Sequence, residues 1–295
     1  MWQAYLPEVL KNNFRAIARC ISLIENEAPG YTDFLESLPI RHIPIIGITG
    51  PPGAGKSTLT DGLIKRFVAD NKKVAVLCVD PSSPFNLGAV LGDRIRMDQW
   101  FTSPNVFIRS LATRGSLGGL HPKIIEIASL LQAAQFDYIL VETVGVGQSE
   151  IEIAGLADIT IVVMVPEGGD EIQTMKAGLM EIADIFVVNK ADRPGADSFV
   201  KNLRMMLAPS FSNHEDEIKI IKTVASQNDG LDELKVEIDR LTGKKNTERK
   251  SWLFAERAYQ LIQQFRMTDI TKEELKREIE LTENLNLHRF VKKYI

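Results

Sequence analysis

The pattern of apolar and polar positions changes near residue 43. Over residues 6–24 apolar side chains recur at helical spacing, which predicts one amphipathic helix that Pro29-Gly30 brings to an end. A short helix over about residues 32–38 is expected next. These patterns predict an N-terminal helical extension over residues 1–42.

Short apolar runs then alternate with longer amphipathic stretches. Seven runs are predicted to be strands: Ile45–Thr49, Val74–Val79, Val106–Ser110, Tyr138–Val141, Ile159–Val165, Ile185–Val188 and Ile218–Val224. Most are continuously apolar, which is typical of strands buried on both faces of a parallel sheet. The alternation predicts a doubly wound, mostly parallel α/β domain with right-handed crossovers over residues 43–243.

The composition turns polar at residues 243–246, which indicates a linker. Beyond it, helical spacing from Leu253 to Phe265 predicts an amphipathic helix, and Thr271 with Glu274 forms the pattern of a capping box. We expect a C-terminal helical extension over residues 244–295. The apolar stripes of both extensions fit either packing on their own domain or a dimer interface, so the C-terminal one is a candidate dimerisation arm.

Composition narrows the choice of function. The chain has 295 residues and a net charge of −4, which argues against a general nucleic-acid binder, because such proteins need a basic surface. Cys20 and Cys78 lack metal-like spacing and are expected to be buried free thiols. No segment has the roughly 20 apolar residues of a membrane span, and the N-terminus lacks a signal-peptide pattern, so we expect a cytoplasmic protein.

The strongest chemical signal follows the first predicted strand, ahead of a predicted helix from Ser57 to about Asp70. It is a P-loop of the form G-x-x-x-x-G-K-[ST]: Gly50, Pro51, Pro52, Gly53, Ala54, Gly55, Lys56 and Ser57, with Thr58 next. Backbone N–H groups of such a loop surround phosphate oxygens, and the helix N-terminus adds partial positive charge. Lys56 is expected to reach the β- and γ-phosphates, and the Ser57 hydroxyl to bind Mg²⁺.

A second motif predicts which base is bound. Asn189-Lys190-Ala191-Asp192 follows the run Ile185–Val188. A carboxylate there can accept from the N1–H and the exocyclic amine of guanine, whereas adenine offers no such pair, so the motif selects GTP over ATP. Val224-Ala225-Ser226 closes the next strand and is expected to contact the same base edge, largely through its backbone.

Acidic residues at other strand ends are candidate magnesium ligands. The run Tyr138–Val141 is followed by Glu142, with Gly145 three residues later as a candidate γ-phosphate-sensing amide. We assign Ser57, Asp80, Asp93 and Glu142 to the surroundings of Mg²⁺, because this hard cation takes oxygen ligands. Lys56, Glu142 and Gly145 are the candidate catalytic residues.

The group that orients the hydrolytic water is less well defined by the sequence. Small GTPases place a glutamine directly after the switch glycine, but here that position is Val146 and the nearest glutamine is Gln148. Slow intrinsic hydrolysis is therefore expected. Four arginines offer charge for the transition state, and none is singled out: Arg94, Arg96, Arg109 and Arg114.

Five motifs in this order resemble the methylmalonyl-CoA mutase-associated GTPases of the MeaB/ArgK type, within the SIMIBI class of P-loop GTPases. They are Pro52–Ser57, Val79–Ser83, Leu91–Met97, Glu142–Glu150 and Asn189–Asp192. The resemblance covers nearly the whole chain, and the Glu142 segment is its most specific part.

The resemblance implies a homodimeric GTP-hydrolysing chaperone of an adenosylcobalamin-dependent acyl-CoA mutase, coupling GTP and Mg²⁺ to cofactor loading and protection. It also implies an extra switch loop over Glu167–Gly178, with Asp170, Glu171, Gln173 and Lys176. The family's older label as a kinase of amino-acid transport is a weaker interpretation, since no residues indicate a protein-phosphorylating site.

Three other functions compete with this interpretation. A nickel or zinc metallochaperone GTPase would need clustered ligands, but His42, His121, His214 and His288 are scattered and no C-x-x-C is present. A small-molecule kinase would need an acceptor pocket and would leave Asn189–Asp192 unexplained. A nucleotide-dependent scaffold without meaningful turnover is the third.

Overall fold

The computed structural model describes residues 2–80, 97–113, 120–143, 149–167, 182–211, 218–242, 247–267, 269–282 and 285–294. The chain forms two compact units, residues 1–245 and residues 246–295. The predicted linker at residues 243–246 lies outside the described residues.

The first unit is built on a seven-stranded parallel sheet. Its strands are β1 (Ile45–Thr49), β2 (Val74–Asp80), β3 (Val106–Ala112), β4 (Tyr138–Glu142), β5 (Ile159–Met164), β6 (Ile185–Asn189) and β7 (Lys219–Thr223). Six of the seven contain no exposed residue, as continuous apolar runs require. The predicted parallel α/β fold is confirmed, and each strand lies within two residues of its predicted bounds.

The strand order places the first strand at the turning point of the sheet. The order is β3-β2-β4-β1-β5-β6-β7, so β1 lies between β4 and β5. The chain moves outward from β1 to one side and later crosses back to the other side. In such sheets ligands bind at the carboxyl ends of the strands beside this reversal, which here is the end of β1.

Eight described helices of four or more residues belong to the first unit. They are α1 (Trp2–Leu10), α2 (Phe14–Glu25), α3 (Tyr31–Glu36), α4 (Lys56–Ala69), α5 (Ile124–Ala133), α6 (Ser149–Leu156), α7 (Ala196–Phe211) and α8 (Leu231–Thr242). Together they cover both faces of the sheet, and their apolar sides form the core with it.

The predicted single helix over residues 6–24 is wrong, because the chain breaks into α1 and α2. Asn12 takes a left-handed backbone conformation with φ of 63°, which a continuous helix does not allow. The Asn13 side chain then accepts from the backbone N–H groups of Arg15 and Ala16, which caps the start of α2. The polar pair Asn12-Asn13 is the sequence signal for this break.

The N-terminal helices pack on their own unit. Ile17, Ile21 and Ile24 of α2 are fully buried in a cluster that also contains residues of β2, β4 and α5. Polar contacts add to this packing, since the Arg109 guanidinium on β3 donates to Glu25 Oε2 at 2.5 Å and to Ser22 Oγ at 3.1 Å. The structure therefore shows the N-terminal extension packed on its own domain, which is the first of the two alternatives considered for it.

The opposite face of the sheet carries α4 and α8. The two helices approach closely at Gly62, where an added Cβ would lie 2.3 Å from Leu231 Cδ1. Next to this contact, Arg66 Nε donates to Asp232 Oδ1 at 2.6 Å. Both helices bury apolar side chains against the sheet, so α4 is held by the sheet on one side and by α8 on another.

The second unit is helical and consists of α9 (Thr247–Arg266), α10 (Lys272–Glu280) and α11 (Leu287–Val291). The predicted capping box is present: Thr271 Oγ1 accepts from the Glu274 backbone N–H at 3.1 Å, and Glu274 Oε2 accepts from the Thr271 N–H. Large apolar side chains of this unit are exposed: Tyr259, Ile262, Phe265, Met267, Leu281, Leu285, Leu287 and Val291. None of the described helices combines the length and the hydropathy that a transmembrane span requires.

Candidate nucleotide-binding site

The P-loop joins β1 to α4 at the turning point of the sheet. Gly50, Gly53 and Gly55 have φ of 136°, 78° and 91°, a region in which residues with a Cβ are strained. Two of these glycines also allow close contacts. A Cβ on Gly50 would lie 2.0 Å from the Val163 carbonyl oxygen of β5, and a Cβ on Gly55 would lie 2.3 Å from Asn189 Nδ2. The glycines therefore permit both the backbone shape of the loop and its tight seating against β5 and β6.

The Lys56 ammonium group lies against the inside of this loop. Its side chain is buried, and Nζ donates to the carbonyl oxygens of Gly50 at 2.8 Å and Pro51 at 3.0 Å. Lys56 is also the first residue of α4, whose N-terminus carries partial positive charge. A buried ammonium group and a helix N-terminus at one place form a strong anion-binding site, as expected for a loop that holds phosphates.

Glu142 makes a direct side-chain contact with the predicted magnesium ligand Ser57. The carboxylate is buried at the end of β4, where its backbone pairs with Ile48 of β1 and Cys78 of β2. Ser57 Oγ donates to Glu142 Oε1 at 2.6 Å. The structure thus brings together two of the four predicted magnesium ligands.

A third residue of this cluster, Thr60, was not predicted from the sequence. It is fully buried on α4, three positions after Ser57, and its Oγ1 lies 3.1 Å from Glu142 Oε2. Positions i and i+3 share one face of a helix, so the sequence alone predicts that the hydroxyls of Ser57 and Thr60 lie on the same face of α4. Its partner, however, is 82 positions away in the sequence and could be identified only from the strand order.

These side chains fit a hard cation such as Mg²⁺. Ser57 and Glu142 offer oxygen atoms, and Asp80 ends β2 as a buried carboxylate on the strand beside β4. No group of three or more His, Cys, Asp or Glu among the described residues is arranged to hold a metal ion by itself. Mg²⁺ commonly binds through one or two carboxylates together with substrate phosphates and water. The small number of protein oxygen ligands here is what such a site requires.

Asn189 connects the predicted guanine motif to the P-loop. Its side chain is buried, and Nδ2 donates to the Ala54 carbonyl oxygen at 2.8 Å. Its Oδ1 accepts from Thr223 Oγ1 and from the Ala225 N–H, each at 3.1 Å. The next residue adds a second link, because Lys190 Nζ donates to the Gly53 carbonyl oxygen at 2.7 Å.

The two predicted base-contacting segments lie side by side at the carboxyl edge of the sheet. Asp192 is exposed in the turn after β6, and the Ala191 N–H donates to the Thr223 carbonyl oxygen at 3.0 Å. Val224 and Ala225 are buried, whereas Ser226 is exposed in a short 3₁₀ turn. The Asn189 amide contacts protein on both sides, whereas the Asp192 side chain is exposed.

Other predicted residues lie outside the described residues, so the structure does not locate them. These are Asp93, Gly145, Asp170, Glu171, Gln173 and Lys176, together with Arg94, Arg96, Arg114, Val146 and Gln148. Arg109 is described, and its contacts with Glu25 and Ser22 give it a role in holding α2 on the sheet.

Known proteins resemble this chain over most of its length. Residues 17–283 match the family model of the methylmalonyl Co-A mutase-associated GTPase MeaB. A protein of Pyrococcus abyssi named as a GTPase is 48% identical over 234 residues, which is 78% of this chain and 72% of that protein. A fused isobutyryl-CoA mutase of Geobacillus kaustophilus is 37% identical over 238 residues, which is 75% of this chain but 22% of that protein.

The fold has a relative of known structure. The crystal structure of an LAO/AO transport system kinase superposes with a TM-score of 0.68 at 23% identity, covering 99% of this chain and 96% of that one. This similarity supports the fold alone. The P-loop at the carboxyl edge of the sheet agrees with the family match and with the relatives that are named as GTPases. The chain belongs to the methylmalonyl-CoA mutase-associated GTPase MeaB family, as a GTPase that binds guanine nucleotide.

Proposed function

We propose that this GTPase is a chaperone of an adenosylcobalamin-dependent acyl-CoA mutase and that its nucleotide state gates loading and protection of the mutase cofactor. The fused relative from Geobacillus kaustophilus carries the proposal. In that protein a segment similar to most of this chain makes up 22% of a longer chain named as an isobutyryl-CoA mutase. Covalent joining keeps two activities at high effective concentration, which is useful when they act on each other.

In the proposed nucleotide complex the P-loop binds the phosphates. Backbone N–H groups of Gly50 and of residues 53–58 and the Lys56 ammonium group neutralise the β- and γ-phosphate charge, since Pro51 and Pro52 have no N–H to donate. The buried position of Lys56 and its place at the first turn of α4 support this role. The Asp192 carboxylate accepts from the guanine N1–H and amine, and the backbone at residues 224–226 borders the base.

The proposed metal is Mg²⁺, which would neutralise charge on the bound phosphates. Ser57 and Glu142 would hold it, directly or through water, with Asp80 nearby. The 2.6 Å contact between Ser57 Oγ and Glu142 Oε1 supports this assignment, since it holds a hydroxyl and a carboxylate at one point beside the P-loop. Asp93 and Gly145 remain proposed members of the site on sequence grounds, as do the switch residues Asp170, Glu171, Gln173 and Lys176.

The second unit is the proposed dimerisation arm. It exposes several large apolar side chains, among them Tyr259, Ile262, Phe265 and Leu281. Apolar side chains gathered on one small unit are typical of surfaces that meet another protein. A second copy of this chain is the proposed partner there, and the mutase then binds a dimer.

The decisive experiment combines hydrolysis with cofactor transfer. Single-turnover GTP hydrolysis is measured with and without a purified acyl-CoA mutase of the methylmalonyl-CoA or isobutyryl-CoA type. Transfer of adenosylcobalamin to the cofactor-free mutase is followed by absorbance with GTP, GDP or no nucleotide. We expect faster hydrolysis in the complex and transfer that depends on which nucleotide is present.

Lys56→Ala is the control in that experiment, because it should remove the nucleotide dependence of transfer. The chaperone role would be contradicted if the mutase did not change the hydrolysis rate and the nucleotide did not change cofactor transfer. Hydrolysis that stays negligible with every mutase would instead favour a nucleotide-dependent scaffold.

A further inference from the structure

The acid at the end of β4 is a glutamate, and its side chain is one methylene longer than that of aspartate. The extra methylene adds a rotatable bond, so more conformations must be excluded before the carboxylate occupies one position. Glu142 is nevertheless buried, with its two oxygens on two different hydroxyl groups of α4. Two contacts from one helix face fix both the position and the rotation of the carboxylate.

The second of these hydroxyls belongs to Thr60, whose Oγ1 has two acceptors within reach. Glu142 Oε2 lies at 3.1 Å and the Lys56 carbonyl oxygen at 2.9 Å. A carbonyl within an α-helix already accepts the backbone N–H four residues later, which for Lys56 is that of Thr60. A carboxylate is a stronger acceptor than a carbonyl oxygen, and a buried carboxylate that loses a hydrogen bond costs more free energy. The hydroxyl of Thr60 therefore matters most for its contact with Glu142.

We propose that Thr60 is a positioning residue for Glu142 and thereby sets how tightly the site holds Mg²⁺ with nucleotide. Thr60 itself touches neither phosphate nor metal in this proposal, which rests on the magnesium site proposed above. Outer hydrogen-bond partners of a metal-binding carboxylate typically change metal affinity by roughly 10–100-fold when removed. The proposal also explains why a glutamate can stand at the end of β4, since Thr60 restrains its longer side chain.

The test compares Thr60→Val with Thr60→Ser. Valine keeps the shape of threonine and removes the hydroxyl, whereas serine keeps the hydroxyl. Binding of a non-hydrolysable GTP analogue is titrated with Mg²⁺ and, separately, in EDTA. We expect Thr60→Val to raise the half-saturating Mg²⁺ concentration roughly tenfold or more, Thr60→Ser to restore most of it, and neither to change binding in EDTA.

The chain offers a matched control in Thr160 of β5. Its side chain is also fully buried, and its Oγ1 has no hydrogen-bond partner among the described residues. Thr160→Val therefore makes the same chemical change without removing a contact, and should leave the Mg²⁺ titration as it is. Thermal unfolding without nucleotide shows whether each variant is folded, and Thr60→Ala replaces Thr60→Val if valine is not accommodated.

A double-mutant cycle with Glu142→Asp tests whether Thr60 acts through Glu142. Aspartate is too short to keep the Thr60 contact, so adding Thr60→Val should change the Mg²⁺ titration little further. Additive losses, or a Thr60→Val titration like that of the wild type, would overturn the inference. A wild-type protein whose nucleotide binding ignores Mg²⁺ would overturn the magnesium site itself, an outcome distinct from the first two.

Discussion

The side-chain amide of Asn189 donates to the carbonyl oxygen of Ala54 across 2.8 Å and so fastens the end of β6 to the middle of the P-loop. The same side chain accepts from Thr223 at the end of β7 and from Ala225 in the segment Val224–Ser226, which is predicted to border the base. One buried amide therefore joins the P-loop to the segment predicted to border the base. Its removal should affect binding of any guanine nucleotide, whatever the number of phosphates.

We expect Asn189→Ala to weaken GDP and GTP binding to a similar extent, by roughly 10–100-fold. The variant leaves three buried polar groups without their partner, at about 1–3 kcal/mol each, and we expect part of this cost to appear as lost nucleotide affinity. Isothermal titration calorimetry with both nucleotides measures this. Asn202→Ala, on the exposed side of α7, makes the same substitution outside the site and should bind as the wild type does. A loss confined to GTP would contradict the proposed linkage.

The glycines of the P-loop supply a second prediction. Gly55→Ala would combine a left-handed φ with a Cβ 2.3 Å from Asn189 Nδ2, whereas Gly53→Ala has the left-handed φ but open space around the new Cβ. Both variants pay backbone strain of about 1–3 kcal/mol, and only the first also displaces the Asn189 amide. Nucleotide affinity should therefore fall more in Gly55→Ala. Equal losses in the two variants would show that the contact with Asn189 is unimportant.

Lys56→Ala should abolish measurable GTP binding while the protein stays folded. The ammonium group is the buried positive charge of the loop, and its loss leaves the phosphate charge without its main side-chain partner. Fluorescence titration with a labelled GTP analogue tests binding, and circular dichroism tests folding. Lys65→Ala on the same helix removes an exposed lysine that pairs with Asp61 and should leave affinity unchanged. Unchanged GTP affinity in Lys56→Ala would refute the assignment.

Burial raises the pKa of the Cys20 thiol to about 11. The thiol is fully buried on α2, so it should resist a disulfide reagent at pH 8 until the protein unfolds. Because the folded pKa lies above the unfolded value, the thiol stabilises the fold fully below about pH 9, and this contribution is lost as pH rises toward 11. Timed labelling in native buffer and in denaturant measures the first effect.

Chemical denaturation from pH 8 to pH 11 measures the second effect. Cys20→Ala is the control, and its stability should fall less over this range than that of the wild type. Rapid labelling of Cys20 in the folded protein would contradict the burial of α2 on the sheet.

The sheet and the P-loop were predictable because their signals are local. A strand buried on both faces must be apolar along its length, and a loop around phosphate needs glycines at fixed spacing. The break between α1 and α2 was also readable, since Asn13 is a good helix cap, but the apolar spacing on both sides of it favoured one helix. Local patterns thus predicted the seven strands and the P-loop that follows β1.

The roles of Asn189 and Thr60 could not be predicted in the same way. Asn189 reaches Ala54 across 135 positions of sequence, and Thr60 reaches Glu142 across 82. Both contacts depend on the strand order, because β4 lies on one side of β1 and β5 followed by β6 lies on the other, and no local pattern encodes that order. An asparagine in a guanine motif suggests contact with the base, whereas its geometry gives it three protein partners.

The close approach of α4 and α8 at Gly62 has a further consequence. With Gly62 against Leu231, Arg66 paired to Asp232, and Ser57 and Thr60 on Glu142, α4 is anchored along its length to parts of the molecule that are themselves well packed. These contacts predict that α4 moves little when the bound nucleotide changes. A partner protein that distinguishes GTP from GDP is then expected to contact parts of the molecule other than this helix.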